Sequence, residues 1–264
     1  MTLFPEMVLG AVRHSMLRRA EESGLVAFHA VDPRSFATDR HRTVDDTPYG
    51  GGPGMLMKPE PLDAAIRSIL PHPGTGAAVV MPDPTGTTFT QSDAAYLAKT
   101  GHVVFVCGHY EGIDERIAQK WITHRFSIGD YVLTGGELPA LVIADAIVRL
   151  VPGVLGDAAS LEIDSHAEGL LSAPQYTRPE VWEGLEVPAI LRSGDHGAIA
   201  KWKRREALLA TRERRPDLFA RANLAKSDLD LLQSSFAGSD RSACPETDAG
   251  HIDADETPPG SDRR

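Results

Sequence analysis

Three short apolar runs, each leading into a glycine- or proline-rich turn and separated by helical patterns, constrain this chain more than any other feature. They are AAVVM (residues 77–81), HVVFVC (102–107) and RFSI (125–128), and they run into PDPTG, GHYEGIDER and GDYVLTGGELP. Runs this short and rich in Val, Ile and Phe read as strands buried on both faces. Strands alternating with helices imply a parallel sheet, so the fold class is α/β.

The rest of the chain fits around that sheet. Val8, Leu9, Val12, Met16 and Leu17 recur at helical spacing until Gly24. Residues 1–4 read as a strand stub and residues 25–31 as a short strand, while Leu62, Ala65, Ile66 and Ile69 mark another helix. Thr90 and Asp93 have capping-box spacing. A helix is expected over 113–121. Residues 138–150 are apolar nearly all round, which predicts a helix buried on most sides.

Beyond Pro152 the pattern changes. Residues 1–155 form the expected ligand-binding domain, 156–173 a polar, glycine-punctuated linker and 174–237 a helical domain. Asp195 can cap a helix that runs to Arg215, and Ser227 with Asp230 offers a second capping box. Residues 238–264 are acidic and poor in apolar side chains, as disordered tails are.

The net charge of −10 argues against a nucleic-acid partner until its distribution is considered. The tail is acidic, whereas KWKRREALLATRERR (201–215) concentrates Lys201, Arg204, Arg205 and Arg212 around Trp202. Phosphates respond to the local face, so this helix is a candidate nucleic-acid contact; the alternative is a solvated face paired through Glu206 and Glu213. Of the two cysteines, Cys107 ends an apolar run and Cys244 lies in the tail, which fits a reducing compartment. Metal-site spacings such as CxxC are absent, and no metal is expected. Without an apolar stretch of roughly 20 residues or a secretory pattern at MTLFPEM, a cytoplasmic location without membrane contact is expected.

In open parallel sheets, ligands bind beyond the carboxyl ends of the strands. Glycine there lets backbone come close to a ligand, and three such loops in succession suit a nucleoside; tight turns are the alternative, and pattern alone does not separate the two. GxGxxG and GxxxxGK[ST] are both absent, which counts against NAD, ATP or GTP and against a dehydrogenase. In TVDDTPYGGGPGM, Asp45 and Asp46 either orient the loop or face an RNA base, unless the loop is simply a solvated surface turn. Glu111 is placed to attract a cation or hold a ribose hydroxyl, or else to open a helix. Arg149 ends an apolar helix and either complements its dipole or holds an anion or substrate oxygen. Asp164 is either a general base or an ordinary linker carboxylate.

Taken together, TLFPEM, VDDTPYGGGPGMLMKPEP, VFVCGHYEGIDER, SIGDYVLTGGELPALVIADAIVRLVPGVLG, DSHAEGLLSAPQYTRP and VPAILRSGDH resemble the bacterial tRNA (guanine-N1-)-methyltransferases of the SPOUT class, the TrmD family. The resemblance covers most of residues 1–220. It implies a deep trefoil knot holding S-adenosylmethionine, transfer of its methyl group to N1 of the guanosine 3′ of the tRNA anticodon, and a homodimer with active sites at the subunit interface. Carried onto matching positions, the cofactor site would use Met81, Pro84, Gly108, Glu111, Ser127, Ile128, Gly129, Asp130, Tyr131, Val132, Leu133, Gly135, Gly136 and Pro139. Asp164 would be the general base, Arg149 its electrostatic helper, and Glu111 a further catalytic carboxylate, with Mg2+ as a possible aid. A rival with the same fold is a catalytically inactive RNA-binding protein. Two departures stand out. Members carry several residues before TLFPEM that complete a central strand, so either the start codon is misassigned or the sheet loses an interior piece. His109 stands where many members have Arg.

Overall fold

The computed structural model describes residues 1–156 and 164–233. The expected tail and residues 157–163 of the expected linker lie outside the described residues. The chain divides into two compact units, Met1–Glu168 and Gly169–Arg264, a boundary that falls inside the expected linker.

In the first unit, a helical pair, α1 (Pro5–Val12) and α2 (Ser15–Glu22), precedes a two-stranded antiparallel hairpin, β1 (Asp45–Asp46) and β2 (Leu56–Met57). The central elements follow as α3 (Pro59–Ile69), β3 (Ala78–Thr88), α4 (Gln91–Leu97), β4 (Val103–Phe105), α5 (Glu115–Trp121), β5 (His124–Ser127) and α6 (Glu137–Val148). The sheet is parallel with order β4-β3-β5, and Val80 pairs with Phe105 on one side and His124 on the other.

Period-two alternation in β3 decides the layers. Val79 and Met81 face Leu62, Ile66, Ile117 and Trp121, while Ala78 and Val80 face Leu97, Phe126, Ile143 and Ile147. Each fully buried aliphatic side chain contributes roughly 1.5–3 kcal/mol, so these two layers outweigh any single cap. The Thr90–Asp93 capping box is formed, with the Asp93 carboxylate accepting from the Thr90 N–H at 2.9 Å. Burial pushes the Cys107 thiol up to about 12, which leaves it an inert core group. No described helix is long and apolar enough to cross a membrane.

Several expectations are corrected. The first helix breaks at His14, with Ser15 at φ 51°, because the apolar stripe must turn to reach the Val148 and Val154 cluster. PDPTG is not a loop beyond β3 but part of it: the strand bulges between Pro82 and Thr87 and rejoins β5 at Phe126. At Gly86 an added Cβ would lie 2.6 Å from the Arg125 carbonyl, so glycine is needed for that close pairing. Helix α6 is not buried all round, since Leu138 and Val142 are about half exposed.

Residues 25–31 carry no strand ladder. Their contact with the N-terminal segment is one bond, from the Thr2 N–H to the Val31 carbonyl. Met1 in turn donates its ammonium to the Phe105 carbonyl at 2.8 Å and accepts from the Cys107 N–H. The N-terminal stub thus lies beside β4 on two hydrogen bonds rather than as a full strand. Burial lowers the basicity of that ammonium. An apolar cavity of about 520 Å3, lined by Met1, Leu25, Phe28, Val103 and Leu141 among others, lies beside it.

The second unit has a short hairpin, β6 (Val181–Trp182) and β7 (Leu185–Glu186), then α7 (His196–Arg214), α8 (Pro216–Arg221) and α9 (Lys226–Gln233). The Asp195 side chain caps α7 through the Ala198 N–H. The expected Ser227–Asp230 box is replaced by Asp228, whose carboxylate accepts from the Ala225 N–H and from Arg204.

Candidate active site

Beyond the carboxyl ends of β4 and β5, two turn segments converge with the bulged stretch of β3 on a cavity of about 230 Å3. Its walls include Met81, Pro84, Gly108, Glu111, Ser127, Ile128, Gly129, Tyr131, Val132, Leu133, Gly135, Gly136 and Pro139. Of the residues expected to bind cofactor, only Asp130 is outside the lining.

Backbone contacts shape this cavity. The Gly136 N–H donates to the Gly108 carbonyl at 2.9 Å, and His109 bridges Gly135. An added Cβ at Gly136 would lie 2.8 Å from Cys107 Cα, so the two loops meet at a distance only glycine allows. Tyr131 covers Gly129 in the same way, and the Ser127 hydroxyl bonds with the Gly129 backbone. The lining is apolar at Met81, Ile128 and Pro139 and carries a carboxylate, Glu111, which suits an adenosyl group joined to a cationic centre.

Glu111 is not a helix-opening residue. Helix α5 begins at Glu115 and is capped by Asp114, whereas Glu111 precedes it in the loop. The TPYGGGPGM hairpin lies directly on that loop, with the Glu111 N–H donating to the Met55 carbonyl at 2.9 Å and the Met57 N–H to the Gly112 carbonyl. Gly54 has φ 86°, a conformation that favours glycine, and a Cβ there would also press on the Glu111 side chain. Asp45 and Asp46 lie on β1 of the same hairpin, and Asp46 accepts from the Thr47 N–H.

Arg149 caps the C-terminus of α6, where its positive charge complements the helix dipole. Its guanidinium also donates to the Asp164 carboxylate at 2.6 Å, and both side chains are about one-third exposed. The structure therefore brings together the two side chains that sequence reasoning had set in different segments. Among the described residues no group of three His, Cys, Asp or Glu side chains could hold a metal ion.

A family model described as tRNA (Guanine-1)-methyltransferase TrmD matches residues 1–221. The chain belongs to this family. A relative from Chloroflexus aggregans, named tRNA (guanine-N(1)-)-methyltransferase, is 55% identical over 236 residues, covering 88% of this chain and 92% of its own length. Relatives of the same name from Frankia alni and Methylococcus capsulatus are 51% and 53% identical, covering 92% and 88% of this chain and 92% of each relative. The reading of an inactive RNA-binding protein finds no support among them.

In the helical unit the basic residues separate into two kinds. Lys201 and Arg212 are exposed, while Arg204 forms a bidentate pair with buried Asp228 and Arg205 pairs with buried Glu206. Sequence reasoning, which saw only a run of charge, did not separate them. It also missed Glu137, buried behind the cavity, although a lone carboxylate at the head of an apolar helix was its visible signal.

Proposed function

We propose that this chain transfers the methyl group of S-adenosylmethionine to N1 of the guanosine 3′ of the tRNA anticodon, as a homodimer. The observation that carries this reading is the convergence of the β3 bulge and two strand-end loops on one cavity, together with the Arg149–Asp164 pair. When bound, the donor supplies an activated sulfonium methyl. The chain's task is to align it and to make the guanine nucleophilic.

Guanine N1 carries a proton, so N1–CH3 bond formation requires the N1–H bond to break. Asp164 is the proposed acceptor of that proton. Negative charge that spreads onto O6 is stabilised by the guanidinium of Arg149. The sulfonium leaves as a neutral thioether, so charge and atoms balance.

Length supports the dimer in this reading. Pro139 lines the cavity near the start of α6 and Arg149 caps its end, so about ten residues at 1.5 Å each separate them by roughly 15 Å. Methyl transfer needs reacting atoms about 3 Å apart. A second copy that lays its Arg149–Asp164 pair beside this cavity removes the gap. The half-exposed Phe4 and Met7 on and before α1, with Leu138 and Val142 on α6, are the apolar surface this reading assigns to that contact. Lys201 and Arg212 are the proposed phosphate contacts. Gly136 is drawn back against the loop leaving β4, and this reading takes that crossing as the family's trefoil knot.

The test is to incubate the protein and S-adenosylmethionine with an unmodified tRNA carrying guanosine 3′ of the anticodon. Mass spectrometry should find one methyl group at N1 of that guanosine. Methylation elsewhere, or none, would overturn the proposal.

A further inference from the structure

Behind the cavity, Glu137 is 2% exposed at the first turn of α6. Both of its carboxylate oxygens are used. The Thr2 hydroxyl donates to one at 2.6 Å, and His109 Nε2 lies 2.7 Å from the other. A carboxylate only accepts, so the ring nitrogen facing it carries the hydrogen. The imidazole is held further by the Phe4 ring, 4.9 Å away, and by Gly135, where an added Cβ would run into it.

Burying a carboxylate costs several kcal/mol unless its partners and field compensate. Here the N-terminal end of α6 favours negative charge, and a histidine and a hydroxyl complete the coordination. An apolar residue would fill the same volume without that cost. What the carboxylate adds is direction, because it ties the N-terminal segment and the loop after β4 to the glycine pair that enters α6. Gly108, His109, Gly135 and Gly136, which the tie holds in register, are walls of the cavity, so Glu137 acts on the cavity through His109.

We propose that Glu137, acting through His109 in the cavity wall, is a positioning residue that sets the spacing of the cavity walls and so governs affinity for the methyl donor rather than the rate of transfer. This rests on the reading of the cavity as the donor site. The test measures donor binding by calorimetry and methyl transfer at saturating donor for Glu137→Gln, His109→Ala, the double variant and His109→Arg, with the melting temperature of each. Either single change is expected to weaken donor binding about tenfold while kcat stays within about threefold. The double variant should be no weaker than the worse single, since both remove one link. His109→Arg, which can still donate to the carboxylate, should recover most of the affinity lost in His109→Ala.

Unchanged donor affinity in a folded Glu137→Gln protein would overturn the proposal. Additive losses in the double variant, or a fall confined to kcat, would do the same. If Glu137→Gln fails to fold, Thr2→Val, which removes the other hydrogen bond to the carboxylate from outside the cavity lining, carries the same test: weaker donor binding supports the proposal and unchanged binding overturns it. Failure of the unaltered protein to bind the donor would instead remove the cavity reading itself.

Discussion

The cavity and the Arg149–Asp164 pair are built on opposite principles. The cavity is made of backbone, with turn segments locked by glycine contacts and by a buried carboxylate. The pair is made of two side chains that are about one-third exposed, reaching from a helix end to a segment fifteen residues later. A backbone site tolerates change in chemistry but not in volume, whereas a side-chain site tolerates change in volume but not in charge.

The sharpest way to break this comparison is Asp164→Asn, which keeps shape and removes the proton acceptor. Methyl transfer should fall by about 10²–10⁴-fold, the usual contribution of general-base catalysis, with donor affinity kept within about twofold. Radiolabelled methyl incorporation and calorimetry read the two quantities separately. Equal activity in the variant would take Asp164 out of the chemistry.

The next effect tests whether the two regions meet across subunits. Gly136→Ala places a Cβ 2.8 Å from Cys107 Cα and should abolish donor binding. Co-expressed with Asp164→Asn, each variant inactive alone, it should restore roughly a quarter of normal activity, because half the dimers are mixed and one of their two sites is intact. No restoration in purified mixed dimers would show that each chain uses its own pair.

The smallest effect concerns the scaffold, and it should leave both regions untouched. Partial burial of Asp63 would raise its pKa, but bonds from Lys120, Arg67 and Trp121 outweigh that and bring it down to about 2. A depressed pKa stabilises the folded chain fully above the ordinary value of 3.8, and this contribution is lost as pH falls toward about 2. Denaturant titrations at pH 6 and pH 2.5 should therefore differ by about 1–2 kcal/mol less in Asp63→Asn than in the unaltered chain. Transfer activity at neutral pH should be nearly unchanged in that variant.

Much of the first unit was legible because period and punctuation are local. The runs at 77–81, 102–107 and 125–128 mark the three parallel strands, and Thr90 with Asp93 forms its box. The split at His14, the bulge through PDPTG and the half-exposed face of α6 were not legible, because each answers to a neighbour distant in the chain. The glycines of the cavity were visible as glycines, but their reason was not: Gly54 takes φ 86° against the Glu111 side chain, and Gly136 needs to avoid Cys107. Charge was the least legible feature, since nothing in KWKRREALLATRERR distinguishes Arg204, spent on Asp228, from Arg212, which is exposed.

By itself, then, the sequence determined the alternation that makes a parallel sheet, because backbone preferences and apolar periodicity act over a few residues, while its longer motifs carried the resemblance to the family. Only the tertiary structure decided which loops share a cavity, which carboxylate fastens them and which arginine faces Asp164. Those relations join residues from 15 to 135 positions apart, and packing alone brings such residues within hydrogen-bonding distance.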